Sequence, residues 1–249
     1  LYLKLEDHNS NQDIIVMDAH ELYGEKGNFR IMHFSNEAIQ GAQDLNDPSR
    51  IVFEYPRAII HLMEWNDPSL EDIFIIGHGI GTIPSYFSDK RCTVAEISST
   101  IAEISRQYFG YDQNNVLIGD GRKILEAEQD DNLDYIIVDA FNENGTPHHL
   151  VTREFFQMAY ERLDSEGFII LNLFGRSNHD SLLNAIHTTI NDVFPYVSSF
   201  ALAADASIDT RNILMIGGKK QVKYQANHLF GFTEMECGEG FIMWDDPSV

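Results

Sequence analysis

Ile73-Phe74-Ile75-Ile76-Gly77-His78-Gly79-Ile80-Gly81 is the stretch on which the reading of this chain turns. The apolar run Ile73 to Ile76 predicts a buried strand of a parallel sheet. Gly77, Gly79 and Gly81 predict a tight turn that lets backbone approach a ligand closely. A second apolar stretch, Cys92 to Ile97 (CTVAEI), carries Glu96 near its end, about twenty positions after the turn, where a carboxylate can accept hydrogen bonds from two ribose hydroxyls. Strand, glycine turn and acid in this order cradle the nucleoside part of a cofactor. A lone Gly-x-Gly-x-Gly is weak evidence, so the rest of the chain has to decide which nucleoside.

Two further strand ends narrow the choice. NVLIGDGR, residues 115–122, places Asp120 after a strand Val116 to Ile118. LDYIIVDAF, residues 133–141, places Asp139 after a strand Tyr135 to Val138. In an open parallel sheet the ligand crevice lies beyond the carboxyl ends of the strands, so Glu96, Asp120 and Asp139 are expected to line one rim. Any one of them alone has a simpler explanation, since strands often end in polar solvent-facing residues. The ordered series together with the glycine turn favours a site.

The remaining pattern organises the chain. DIIVMDAHE (13–21) and FRIMHFS (29–35) predict two strands joined across GEKGN. Residues 1–50 read as a small β-hairpin domain, 51–70 as a helical connection ending in the NDPS turn, and 71–249 as the main domain. From Glu71 onward, strands alternate with helical segments, which predicts a mostly parallel sheet covered by helices. In SSTIAEISRQYF (98–109), Ile101, Ile104 and Phe109 fall on one helical face, expected to lie on that sheet. TREFFQMAYERL (152–163) predicts a helix capped by Thr152, its aromatic residues serving as core. Gly167 is expected to end that helical region before the strand FIILNLF (168–174), and RNILMIGG (211–218) is a late strand followed by a polar tail. LFGRSNHD (173–180) is best read as a strand-to-helix loop, with Arg176, Ser177 and His179 as alternative crevice residues.

Composition sets bounds. The chain has 249 residues and 43% hydrophobic content, ample for one large domain with a small appendage. A net charge of −22 opposes binding to nucleic-acid phosphates and suits a cationic substrate, although acidic surfaces mainly confer solubility. No apolar stretch is long enough to span a membrane. Cys92 and Cys237 lie far apart and suggest no disulfide framework, so a reducing cytoplasm is the default expectation. No metal-ligand spacing is visible, and the adjacent His148 and His149 read as loop residues. The chain begins at Leu1 rather than methionine, which leaves open a preceding segment or fused partner.

At this point the chain resembles the spermidine synthase (polyamine aminopropyltransferase) family, nearest its bacterial spermidine synthase-like branch. The likeness runs through GNFRIMHFSNEAIQGAQDLNDPSRIVFEYPRAI, the glycine turn, VAEIS, IGDGR and VDAFNENGTPHHLVTREFF, and includes the closing FIMWDDPSV. The resemblance implies an α/β fold: a Rossmann-like, class I methyltransferase-type sheet with helices on both faces, preceded by the β-hairpin domain. It implies donor contacts from Gln40, Gly77, Gly79, Gly81, Glu96, Ile97, Asp120 and Gly121, with Glu96 on the ribose and Asp120 at the adenine edge. It implies Asp139 as catalytic base and Tyr55 and Asn142 beside the amine. It implies no tightly bound cofactor, decarboxylated S-adenosylmethionine as co-substrate with methylthioadenosine as product, a small cationic amine as acceptor, and a homodimer.

The chemistry suits these residue types. A sulfonium is already a good leaving group, so the protein has to present a neutral amine in line with the carbon under attack. A carboxylate can bind the ammonium and take its proton, and others can fix its orientation. Four positions depart from the family pattern. Ile80 stands where an aspartate grips the donor amine; losing a charged hydrogen bond there costs about 1.5–3 kcal/mol. Asn142 replaces a second aspartate, Pro56 and Arg57 follow Tyr55, and no Tyr-Pro-Ser-Gly segment lies between Phe194 and Ile213. Arg57 is read as a structural or solvated helix residue. Intact S-adenosylmethionine and methyl transfer are therefore the alternative, followed by a non-catalytic nucleoside-binding protein.

Overall fold

A computed structural model describes residues 1–7, 12–34, 39–142, 145–176, 180–203 and 209–246. Ser177 and His179 lie outside them.

The N-terminal region is a four-stranded antiparallel sheet of β1 (Tyr2–Asp7), β2 (Gln12–Leu22), β3 (Glu25–Phe34) and β4 (Ile39–Asp44), paired in chain order. The β2–β3 turn is Tyr23-Gly24, with φ of 48° and 82°. Two successive left-handed residues match the right-handed strand twist in a two-residue hairpin. The expected loop across GEKGN is thus shorter, and Glu25 to Asn28 belong to β3.

Helix α1 (Glu54–Asn66) connects to the main sheet, which contains β5 (Asp72–Ile76), β6 (Arg91–Glu96), β7 (Val116–Ile118), β8 (Leu133–Val138), β9 (Leu163–Gly175), β10 (Tyr196–Leu202), β11 (Arg211–Gly218) and β12 (Phe232–Met235). Their order is β12-β10-β11-β9-β8-β5-β6-β7. Strands β5 to β9 pair in parallel, while β11 is antiparallel to β9 and β10. The helices are α2 (Thr82–Tyr86), α3 (Ser99–Phe109), α4 (Gly121–Glu126), α5 (Arg153–Arg162) and α6 (Ser181–Asn191).

Apolar runs become central strands because both faces of the sheet are covered. Phe74, Ile76, Ile136 and Val138 pack with Phe155 and Phe156 of α5 and Ile186 of α6. The alternate residues Ile73, Ile75, Tyr135 and Ile137 pack with Ile59, Leu62 and Met63 of α1. The α/β sheet with helices on both faces, preceded by an N-terminal β region, is the expected architecture; the expected hairpin is the β2–β3 pair of a four-stranded sheet.

Three expectations need correction. Ile101, Ile104 and Phe109 of α3 form a cluster with Ile14, Val16 and Met32 of the N-terminal sheet, rather than facing the main sheet. A one-sided helix satisfies its periodicity against whichever apolar surface it meets, and the pattern does not identify that surface. Gly167 lies inside β9: α5 ends at Arg162 and the strand begins at Leu163. A Cβ on Gly167 would sit 3.0 Å from the Leu133 carbonyl oxygen, so the residue permits close strand approach there. The tail after β11 is not merely polar: it contains β12 and buries Met243 in the main core.

Candidate active site

The strand order reverses between β5 and β8, which opens a crevice at their carboxyl ends. Gly77 leaves β5 with φ 98°, and a Cβ on it would fall 2.0 Å from the Asp139 carbonyl oxygen. Only glycine fits where the two strand ends converge. The backbone seals the floor: Gly77 N–H donates to the Ala95 carbonyl (2.9 Å) and Asp139 N–H to the Ile76 carbonyl (2.8 Å). Gly81 caps α2 at φ 83°, against Tyr111.

Glu96, at the end of β6, is only 5% exposed. One carboxylate oxygen accepts the His78 N–H at 2.9 Å, and the other accepts the Ser98 N–H at 2.8 Å. Burial pushes its pKa up, those backbone donors oppose the shift, and nearby Asp7 adds to it. Asp7, buried at the end of β1, accepts the Ser98 hydroxyl at 2.8 Å. The N-terminal sheet therefore reaches the wall behind Glu96. Ile97, next in sequence, is 61% exposed and presents an apolar ledge beside that carboxylate.

Asp120 follows β7 and caps α4 by accepting the Arg122 N–H at 2.9 Å. Gly121 is buried, and a Cβ on it would meet Ile76 at 2.4 Å. His149, in the short turn His148–Leu150, places Nε2 3.3 Å from the Asp120 carboxylate. The loop histidine thus has a partner at this rim. Among the described residues, no three His, Cys, Asp or Glu side chains gather as a metal site.

Asp139 ends β8 and accepts the Asn172 side-chain amide at 2.8 Å; Asn172 in turn accepts from the Asn212 amide at 2.9 Å. The hydroxyl of Tyr55, from the first turn of α1, also hydrogen-bonds to Asp139. Burial raises the Asp139 carboxyl from 3.8 to about 6 despite both donors. The Tyr55 phenol is pushed well above its ordinary value by burial and by that carboxylate. A carboxyl tuned near neutrality in a crevice has the acidity of a general base.

The other expected residues take varied places. The Gln40 carbonyl lies against Gly79, at 3.7 Å from where a Cβ would be. Asn142 closes a small turn with Gly145, exchanging backbone hydrogen bonds of 2.8 and 3.1 Å. Ile80 packs on Gly41 of β4 and joins the α3 cluster with the N-terminal sheet. Arg57 bonds the Phe53 carbonyl at 3.1 Å and stacks over Phe230 at 5.0 Å, as a structural residue. Arg176 is exposed, and its backbone N–H is bound by the Asp180 cap of α6.

Asp7, His78, Asn172 and Asn212 escaped the sequence reading. Asn172 had a signal, being polar within the apolar run FIILNLF. His78 is 6% exposed, with Nε2 on the Ser105 hydroxyl at 2.7 Å and Nδ1 unpartnered among the described residues. Burial lowers its pKa to about 4, and Arg106 adds to the effect, so the ring is neutral.

The chain is similar to proteins of known family. A polyamine aminopropyltransferase of Vibrio vulnificus is 30% identical over 186 residues, spanning 68% of this chain and 60% of that protein. A putrescine N-methyltransferase of Nicotiana attenuata is 28% identical over 153 residues, spanning 57% and 41%. The chain thus covers about 60% or less of the length of these curated relatives. The crystal structure of a probable spermidine synthase from Corynebacterium glutamicum shares the fold, with a TM-score of 0.77 at 20% identity over 95% of this chain and 91% of that one. The spermine/spermidine synthase domain model matches residues 52–224, well over half of the chain. The chain belongs to the spermine/spermidine synthase family.

Proposed function

We propose that this protein transfers an aminopropyl group from decarboxylated S-adenosylmethionine to a small amine, releasing methylthioadenosine. The carrying observation is Asp139: a crevice carboxyl at about 6, held by Tyr55 and Asn172, on the strand end next to the glycine turn. Glu96 accepts the ribose hydroxyls with its remaining lone pairs, Ile97 lies under the base, and Asp120 with Gly121 edges the adenine. Gln40 and the Gly77–Gly81 backbone close the donor side. Asp139 takes a proton from the acceptor ammonium, and the neutral nitrogen attacks the propyl carbon as the sulfonium leaves. Tyr55 orients the carboxylate, and Asn142 lies on the acceptor side. Assembly as a homodimer and a cytoplasmic location belong to the same reading.

Methyl transfer from intact S-adenosylmethionine is the second reading. Ile80 turns into apolar packing where the family carries an anion for the donor amine, and a relative is named putrescine N-methyltransferase. Incubation with each donor over a panel of amines, with mass spectrometry of nucleoside products, separates the two. Methylthioadenosine with an aminopropylated amine supports the first; S-adenosylhomocysteine with a methylated amine replaces it. Consumption of neither donor refutes both.

A further inference from the structure

After β12 the chain runs through residues 236–246 without helix or strand, yet it is fastened along its length. Gly238 N–H donates to the Asn184 side chain and Gly240 N–H to the Thr188 hydroxyl, both at 2.9 Å. A Cβ on Gly240 would lie 2.5 Å from the Ala185 nitrogen, so the segment rests directly on α6. Met243 is 5% exposed, its N–H is bound by the Thr189 hydroxyl, and its carbonyl accepts the Arg153 N–H at the start of α5. Such anchoring orders a strap.

The strap ends at the crevice rim. Asp245 receives both terminal guanidinium nitrogens of Arg122, at 2.7 and 2.6 Å, and the Thr152 hydroxyl at 2.7 Å. Its N–H donates to Glu154 at 3.0 Å. Arg122 also donates to the His149 carbonyl at 3.0 Å, and the His149 ring meets Asp120. One ion pair therefore ties together the turn after β7, the turn before α5 and the strap. A bidentate arginine–carboxylate pair fixes orientation as well as distance. The Arg122 side chain is 22% exposed and that of Asp245 35%, so water only partly screens the pair.

We propose that the Asp245–Arg122 latch braces the nucleoside site, the two acting as positioning residues for the Asp120–Gly121 rim and the His148–Leu150 turn, while the rest of the strap serves stability. The inference rests on the nucleoside reading of the crevice. It explains why an irregular terminal segment carries so many specific contacts: without the latch, two turns that flank the adenine edge have lost their common brace. Neither residue touches the nucleoside.

Calorimetric titration of methylthioadenosine into wild type, Asp245→Asn, Arg122→Met and the double variant tests it, with thermal melts alongside. Each single change is expected to weaken binding about five- to tenfold, with the double no worse than the worse single, because one pair is being broken. Thr188→Val, which removes a distant strap anchor, serves as the comparison: it lowers the melting temperature and leaves affinity unchanged. Asp245→Asn melting lower while binding as wild type does, or Thr188→Val weakening binding equally, overturns the inference and leaves the nucleoside reading standing. Wild type that fails to bind methylthioadenosine overturns the nucleoside reading itself, and the inference with it.

Discussion

Asp139→Asn is predicted to stabilise the protein near neutral pH while removing the proposed transferase activity. Burial raises this carboxyl from 3.8 to about 6, so the folded state holds its proton more tightly than the unfolded chain does. Between those two values the folded state binds more protons, and stability falls as pH rises through the window. Below it the contribution is fully present; above it the contribution is lost. The difference between 3.8 and about 6, converted at about 1.36 kcal/mol per pH unit, sets an upper limit near 3 kcal/mol. The crevice leaves the side chain some contact with solvent, so about 1–2 kcal/mol is the expected gain for the neutral amide. For a chain of this size that raises the melting temperature by about 2–8 °C at pH 7.5. At pH 4.5 the gain shrinks to about a third, because the wild-type carboxyl is then largely protonated when folded. Turnover falls by about 10²–10⁴-fold, read as methylthioadenosine released. No rise in melting temperature at pH 7.5, or the same rise at both pH values, refutes the reasoning.

Other perturbations probe the surrounding contacts. Tyr55→Phe removes a donor that favours ionised Asp139, so the acidic limb of the pH–rate profile moves up by about half to one unit; an unmoved limb argues against the contact. Gly77→Ala places a Cβ against the Asp139 carbonyl; it costs at least about 2 kcal/mol in urea denaturation and abolishes methylthioadenosine binding. Ile80→Asp puts a carboxylate into the packing with Gly41 and costs about 2–4 kcal/mol. It does not improve donor affinity by calorimetry; a tighter donor complex would show that this side chain turns into the crevice.

What could be read from the sequence follows from where the candidate site residues sit. Glu96, Asp120 and Asp139 each follow an apolar run, and a parallel sheet delivers such strand ends to one rim whatever the loops between them do. Gly77 was legible because close backbone approach tolerates no side chain, whereas Gly121 came from the family resemblance alone. The contacts that tune these groups come from elsewhere in the chain. Asn172 lies 33 residues from Asp139, and Ser98 lies 91 from Asp7. Their pairing is set by strand order and domain packing, which local periodicity does not encode. Ile80 shows the same limit: the departure from the family's aspartate is visible in the sequence, but its packing against Gly41 and the α3 cluster is not. The path of the strap was not legible for a related reason: its backbone N–H groups bind side chains of α6, and Asp245 pairs with Arg122, 123 residues away.

The grip on Glu96 has an entropic consequence. With one oxygen on the His78 N–H and the other on the Ser98 N–H, this carboxylate has already surrendered the rotamer freedom that a side chain normally loses on binding, about 0.5–1.5 kcal/mol. A hydroxyl pair arriving there meets an acceptor fixed in advance. The same rigidity gives it no way to adjust to a sugar lacking one hydroxyl. Discrimination between ribose and deoxyribose would then be a property of the empty fold, in place before any ligand arrives.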